Sequence, residues 1–186
     1  MEDGYIRGVI PAVDGIRRYK EFLESGLPAC VLMNVHLSLL DGVFRNARER
    51  EKKIILHVDR INGLSDDEYG AEYVSQKYAP AGAISIKPAV ITALKKKRVT
   101  AIQRIFLIDS FALARSAEAV KNASPDFVEV MPGMVPDLVP TLKAALGKEL
   151  IAGGLIPDLA AAEELLKSFR AVTMSFPKVA GREGKR

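Results

Sequence analysis

Eight short apolar runs punctuate the chain, and most of them end on a polar residue or a glycine. They are Val9 to Ala12, Ala29 to Met33, Ile54 to Asp59, Ala83 to Ile86, Val99 to Gln103, Phe127 to Met131, Leu150 to Gly154 and Ala171 to Ser175. Segments with helical spacing separate them. Strand and helix alternating in this way predict a parallel sheet, because parallel neighbours need a long crossover. Eight such units predict an α/β fold of the TIM type, a closed (β/α)8 barrel whose functional face lies at the C-terminal strand ends.

The chain has 186 residues, short for such a barrel, which typically takes ~250 and has a minimum near ~200. The loops must therefore be compact, and the last helix short or missing. With no linker or composition break, residues 1–186 read as one domain. Between the strands, Ser65 and Glu68 fit a capping box ahead of a helix whose apolar stripe carries Tyr69, Tyr73 and Val74. Asp109 fits as the cap of a helix through Phe111, Leu113, Ala117 and Val120. Pro136 and Pro157 suit first helical turns, and Pro140 sits too deep unless its helix starts late.

Hydrophobic residues make up 48% of the chain and charged residues 27%, the balance of a globular protein. The net charge of +4 permits phosphate or RNA binding without demanding it. The lone cysteine, Cys30, lies inside an apolar run, so no internal disulfide can form. That fits a reducing, cytoplasmic setting. No apolar run approaches the ~20 residues of a membrane span.

Four places carry candidate chemistry. Gly153 and Gly154 end the seventh run and Ser175 ends the eighth, the position where barrels of this type often hold phosphate; a plain tight turn needs the same glycines. His57 and Asp59 alternate on one face of the third run. There they can bind a polyol or a metal, form an acid–base pair, or merely finish the strand. Glu129 lies mid-strand, where a charge must be paired, and Lys87 or Arg104 can pair it. Only one of Gln103 and Arg104 can face the barrel mouth. The run Lys95, Lys96, Lys97 and Arg98 suits a helix C-terminus and a solvated surface, and is a weak candidate for RNA contact. Lys178, Arg182, Lys185 and Arg186 form a second basic group. Aromatic residues are only 6% of the chain, which gives little support to base stacking.

Taken in order, several stretches resemble the glycerol-3-phosphate-responsive antiterminators of bacteria. They are His57 to Leu64 (HVDRINGL), Asp67 to Gly70, Pro80 to Ser85, Ala101 to Arg104, Phe106 to Asp109, Val128 to Gly133, Ala152 to Ile156 and Ala171 to Ser175. The resemblance implies a regulator rather than an enzyme, with no cofactor and no metal. It would bind glycerol 3-phosphate, then act on the leader mRNA of glycerol-utilisation genes and prevent transcription termination; a homodimer is compatible with that role. On this reading Gly153, Gly154 and Ser175 hold the phosphate, Lys87 or Arg104 neutralises it, and His57, Asp59 and Glu129 face the glycerol hydroxyls. The chain departs from the family at Arg60 (often leucine), at Met174 (often threonine) and at Pro157–Asp158 (often arginine–threonine). The alternative is a barrel enzyme acting on a small phosphorylated substrate (a phosphodiesterase, isomerase or phosphoglycerol transferase), with His57, Asp59 and Glu129 at its centre.

Overall fold

The computed structural model describes residues 4–180. Eight parallel strands close into a barrel: β1 (Gly8–Asp14), β2 (Ala29–Met33), β3 (Lys53–His57), β4 (Gly82–Ser85), β5 (Thr100–Phe106), β6 (Phe127–Met131), β7 (Glu149–Gly153) and β8 (Ala171–Ser175). Each strand pairs with its sequence neighbours, and β1 closes the ring on β8 through the register Ile10 to Thr173. The helices are α1 (Gly15–Leu23), α2 (Leu40–Glu49), α3 (Glu68–Tyr78), α4 (Pro88–Lys96), α5 (Ser110–Ala123), α6 (Val139–Leu146), α7 (Leu159–Leu165) and the four-residue α8 (Phe176–Val179). None of the described helices is long and apolar enough to cross a membrane.

The two-residue period of a strand sorts the side chains into an inner and an outer set. One residue from every strand forms a dry ring inside: Ile10, Val31, Ile55, Ile84, Ile102, Phe127, Ile151 and Ala171, closed from below by Ile6. Two residues further along each strand the inner set changes character. His57, Arg104, Glu129, Gly153 and Thr173 lie there, all buried. The outward residues pack beneath the helices in two clusters. One runs from Val13 to Ala101 under α1 to α4, with Cys30 at 0% exposure; the other centres on Val128, Val130, Leu150 and Val172 under α5 to α7.

Several local expectations are corrected. The cap of α3 is Asp67 rather than Ser65: its Oδ1 accepts from the Tyr69 and Gly70 amides at 3.0 Å each, and Ser65 Oγ supports the carboxylate. Position 70 must be glycine here, because a Cβ on it would stand 1.8 Å from the Ser65 carbonyl oxygen. Asp67→Ala is expected to lower the melting temperature by a few degrees, since two amide donors lose their acceptor; an unchanged melt would show that α3 needs no cap. The buried face of α3 is Gly70, Ala71, Val74, Ser75 and Tyr78, and Tyr69 and Tyr73 point outward. Asp109 does cap α5, accepting from the Ala112 amide at 2.7 Å. Pro136 begins a 3-10 turn, and α6 starts at Val139, so Pro140 falls in a first turn where its missing amide costs nothing. Pro157 precedes the α7 cap, Asp158.

Candidate functional site

The C-terminal end of the barrel holds a cavity of about 440 Å³. Its floor and walls come from inward positions: Ala12 and Asp14 of β1, Val31 and Met33 of β2, Arg104 and Phe106 of β5, Met131 of β6, Thr173 and Ser175 of β8. Gly154, Leu155 and Ile156 after β7, Lys178 on α8, and Arg60 after β3 complete it. Three cations thus meet one carboxylate, that of Asp14.

Under this cavity a hydrogen-bonded chain spans the barrel. Glu129, fully buried, accepts from Arg104 Nε at 2.6 Å and, on its other oxygen, from the Thr173 hydroxyl. Arg104 Nη1 donates to His57 Nε2 at 2.7 Å. Four strands are therefore tied together by side chains alone. Each buried polar group needs its partner, because an unpaired charge there costs several kcal/mol (~3–5). Gly153 makes the chain fit: a Cβ on it would lie 2.7 Å from Thr173 Oγ1 and 2.8 Å from Glu129 Oε1.

His57 is an acceptor at Nε2, so its proton sits on Nδ1. That atom lies 3.9 Å from Asp59 Oδ2, beyond hydrogen-bond reach, and has no other partner among the described residues. Burial first, and then the Arg104 and Arg60 charges, push its pKa down to about 3. The imidazole is neutral, and its approach to Asp59 is not an ion pair. Between pH 6.5 and 3 the unfolded chain holds the extra proton and the folded chain does not. Stability present above pH 6.5 should therefore fall as the solution is acidified through this window, by up to ~1.4 kcal/mol per pH unit, or on the order of 2 kcal/mol by pH 5. Urea melts across that range check it: His57→Gln should flatten the slope, and an equal slope in both proteins contradicts a buried neutral His57.

Asp59 leaves the alternation expected for it. The strand stops at His57, and Val58–Arg60 wind into a 3-10 turn. The Asp59 carboxylate turns to the end of β4, where it takes the Ser85 hydroxyl at 2.5 Å and the Ile86 amide at 2.8 Å. It does not line the cavity, and neither does Lys87, whose ammonium lies 2.6 Å from Asp66. That carboxylate raises the Lys87 pKa. Glu129 takes Arg104, not Lys87, as its cation. Of the residues expected at the mouth, Arg104, Gly154 and Ser175 line the cavity, while His57, Glu129 and Gly153 lie in the layer beneath. Among the described residues, no three His, Cys, Asp or Glu side chains are grouped to hold a metal ion.

Sequence reasoning missed Asp14, Asn34, Thr173 and the site position of Lys178. Asp14 and Thr173 carry the inward parity of Ala12 and Ser175, so strict alternation along β1 and β8 predicts both. Lys178 Nζ donates to the carbonyls of Ile156 and Pro157 at 2.9 and 2.8 Å, which fixes the loop after β7 against α8. On the opposite rim, Arg60 Nε donates to Asn34 Oδ1 at 3.2 Å and Asn34 Nδ2 to Asp14 Oδ1 at 2.7 Å. A short parallel pair, Val35–His36 with Ile61–Asn62, holds those two loops together. The run from Lys95 to Arg98 is at the other end of the barrel, where α4 ends: Lys95 and Lys96 are its last residues and Lys97 its cap. Lys95 pairs with Asp126, and Lys97 with Glu72 at 3.3 Å. Of the second basic group, Arg182, Lys185 and Arg186 lie outside the described residues.

Residues 9–179 match the family model described as "Glycerol-3-phosphate responsive antiterminator". The chain belongs to that family. Among solved structures, the glycerol uptake operon antiterminator regulatory protein from Listeria monocytogenes superposes with a TM-score of 0.85 at 31% identity, covering 90% of this chain and 91% of that one. An antiterminator-related protein from Thermotoga maritima gives 0.79 at 29% identity, over 91% and 95%. The Escherichia coli protein YgcP, itself uncharacterised, is 25% identical over 150 residues, 81% of this chain and 78% of YgcP. An aldolase, QR15, shares the barrel at a TM-score of 0.70 and 14% identity, a likeness of fold alone. This antiterminator-family chain is thus built on a scaffold that enzymes also use.

Proposed function

We propose that the protein senses glycerol 3-phosphate at the barrel mouth and, when loaded, binds the leader RNA of glycerol-utilisation transcripts so that a terminator does not form. The observation that carries this reading is the cationic mouth cavity of an antiterminator-family barrel. The phosphate sits against Gly154, Ser175 and Lys178, where the loops after β7 and β8 meet; the glycerol end reaches toward Arg104 and Asp14. Arg104 can point its remaining donors at the ligand because Glu129 and His57 hold the guanidinium still.

A sensor is favoured over an enzyme by the state of the three groups that the sequence offered for acid–base chemistry. Acid–base chemistry needs a group free to exchange a proton with the ligand. Glu129 is sealed under the floor, His57 is held neutral by burial and then by the Arg104 charge, and Asp59 is spent on Ser85 and Ile86. Binding, by contrast, needs little. A millimolar ligand requires only about 4 kcal/mol, within reach of two or three charge-assisted hydrogen bonds at ~1.5–3 kcal/mol each.

A thermal-shift series with glycerol 3-phosphate, glycerol and inorganic phosphate tests the site. At ~100 times its dissociation constant the ligand adds ~2.7 kcal/mol, which raises the melting temperature by roughly 5–10 °C for a chain of this size. Glycerol alone should do nothing. Lys178→Met should weaken glycerol 3-phosphate roughly 10- to 100-fold through loss of one charged donor. A shift of equal size with glycerol, or none with any of the three, removes the proposal. A gel shift of leader RNA with and without the ligand tests the coupling, and equal retardation in both lanes argues against it.

A further inference from the structure

A second opening lies beside the mouth, between α4, α5 and the end of β5. It encloses about 600 Å³, within the ~300–1,000 Å³ of small-molecule sites. Gln103, Arg104, Ile105 and Phe106 of β5 line it, with Ile86 and Pro88 on one side and Ala112, Arg115, Ser116 and Ala119 of α5 on the other. It exists because α5 stands away from the barrel there. Of the fourteen residues of that helix only Val120 and Ala123 are buried, and the positions facing the groove are mostly small.

Three features give the groove a chemistry. First, Gln103 is 2% exposed, yet its side-chain carbonyl has no donor among the described residues. A buried acceptor left alone is costly and rare, so a donor arriving through the groove completes it. Second, Phe106 shows 47% of its surface at the edge, offering a ring face. Third, Arg115 is exposed and has no carboxylate within ion-pair distance among the described residues, and no acidic residue lines the groove. An aromatic face, an amide acceptor and an unopposed guanidinium match one unstacked nucleotide: a base with an amino donor, and its phosphate.

We propose that this groove takes a splayed base of single-stranded RNA, stacked on Phe106, bonded to Gln103 and held at its phosphate by Arg115. The inference rests on the RNA-binding reading above and gives that binding a place. It also supplies a route for ligand control. Arg104 and Phe106 line both the groove and the mouth cavity, so an anion in the mouth that settles the Phe106 ring beside the already pinned Arg104 sets one wall of the groove.

The test uses the whole chain, saturating glycerol 3-phosphate, one fixed salt concentration and a labelled single-stranded RNA carrying a glycerol-operon leader sequence. Arg115→Ala and Gln103→Met should each weaken RNA binding roughly tenfold. The thermal shift caused by glycerol 3-phosphate should stay as in the parent, because neither residue lines the mouth. Gln103→Met should not lower the melting temperature, since it removes an orphaned acceptor; a purely structural Gln103 would show the reverse. Lys121→Ala, which removes an exposed cation from the same helix outside the groove, and the pair Lys96→Ala with Arg98→Ala should leave RNA binding near the parent value. The annealed duplex should bind more weakly than the single strand. Zero-length ultraviolet crosslinking of the bound RNA should label a peptide containing Phe106 or Arg115. If the parent binds the RNA and Arg115→Ala binds it equally well, the groove is overturned and the RNA reading stands. If the parent binds no RNA with ligand present, both fall. A self-association that Arg115→Ala abolishes, with RNA binding unchanged, would assign the groove to a second copy of the chain and overturn the proposal.

Discussion

Glu129→Ala should destabilise the protein by about 3–5 kcal/mol, a drop of roughly 6–20 °C in melting temperature. The reason is what remains. Arg104 would keep its charge in a layer where it is 8% exposed, lose its 2.6 Å partner, and retain only the neutral His57 as an acceptor. Thr173 would lose its close acceptor at the same time and keep only the Ala152 carbonyl at 3.5 Å. Arg104→Met alone should also be costly, because it strands the carboxylate. The double variant Arg104→Met with Glu129→Met should recover most of the loss, as apolar replacement of a whole buried pair often does. It should nevertheless fail to respond to glycerol 3-phosphate. Stability and ligand response therefore separate in one double-mutant cycle, read by chemical melts and by thermal shift. Additive losses in the double variant would mean that the two charges do not act as a pair. A retained ligand response would remove Arg104 from the site.

That pair marks the border between what the chain reveals and what it conceals. The barrel was legible because eight apolar runs at strand length, separated by helical segments, admit few other arrangements. The inward ring follows from the same period of two: Ile55 and His57, Ile102 and Arg104, Phe127 and Glu129 each sit two apart. A charge in the middle of β6 announces a buried partner, and parity selects Arg104 over Gln103. Parity fails where a strand ends. Asp59 is two residues after His57, but a 3-10 turn intervenes and the carboxylate is captured by the neighbouring β4 loop. Lys87 is lost to Asp66 for a similar reason: loop side chains follow local partners, and no period fixes them. Lys178 was visible only as one cation in a basic tail. Its role depends on α8 folding back to within hydrogen-bond distance of Ile156 and Pro157, a contact between segments 21–22 residues apart. The outer groove was invisible in composition, because low aromatic content says nothing about whether one ring is left exposed beside an orphaned amide.

The two adjacent glycines of β7 and its loop should respond differently to the same change. Gly153→Ala puts a methyl group 2.7 Å from Thr173 Oγ1 and 2.8 Å from Glu129 Oε1. Those two atoms are bonded to each other, and Glu129 is further pinned by Arg104, so neither can withdraw freely. Its backbone is held as well, since the Gly153 carbonyl accepts from the Gly133 amide at 2.6 Å. Overpacking of this kind costs ~1–3 kcal/mol, and here it also disturbs the chain that steadies Arg104, so ligand affinity should fall with stability. Adding Thr173→Ala should return part of both losses by removing the nearer atom and letting Glu129 shift. Gly154→Ala meets only Met131, at an ordinary 3.6 Å, and its penalty comes from a φ of +73°, ~1–2 kcal/mol of backbone strain. No substitution at Thr173 should relieve that. If Thr173→Ala fails to rescue Gly153→Ala, or rescues Gly154→Ala equally, Gly153 is present for the turn and not for the carboxylate beneath the site.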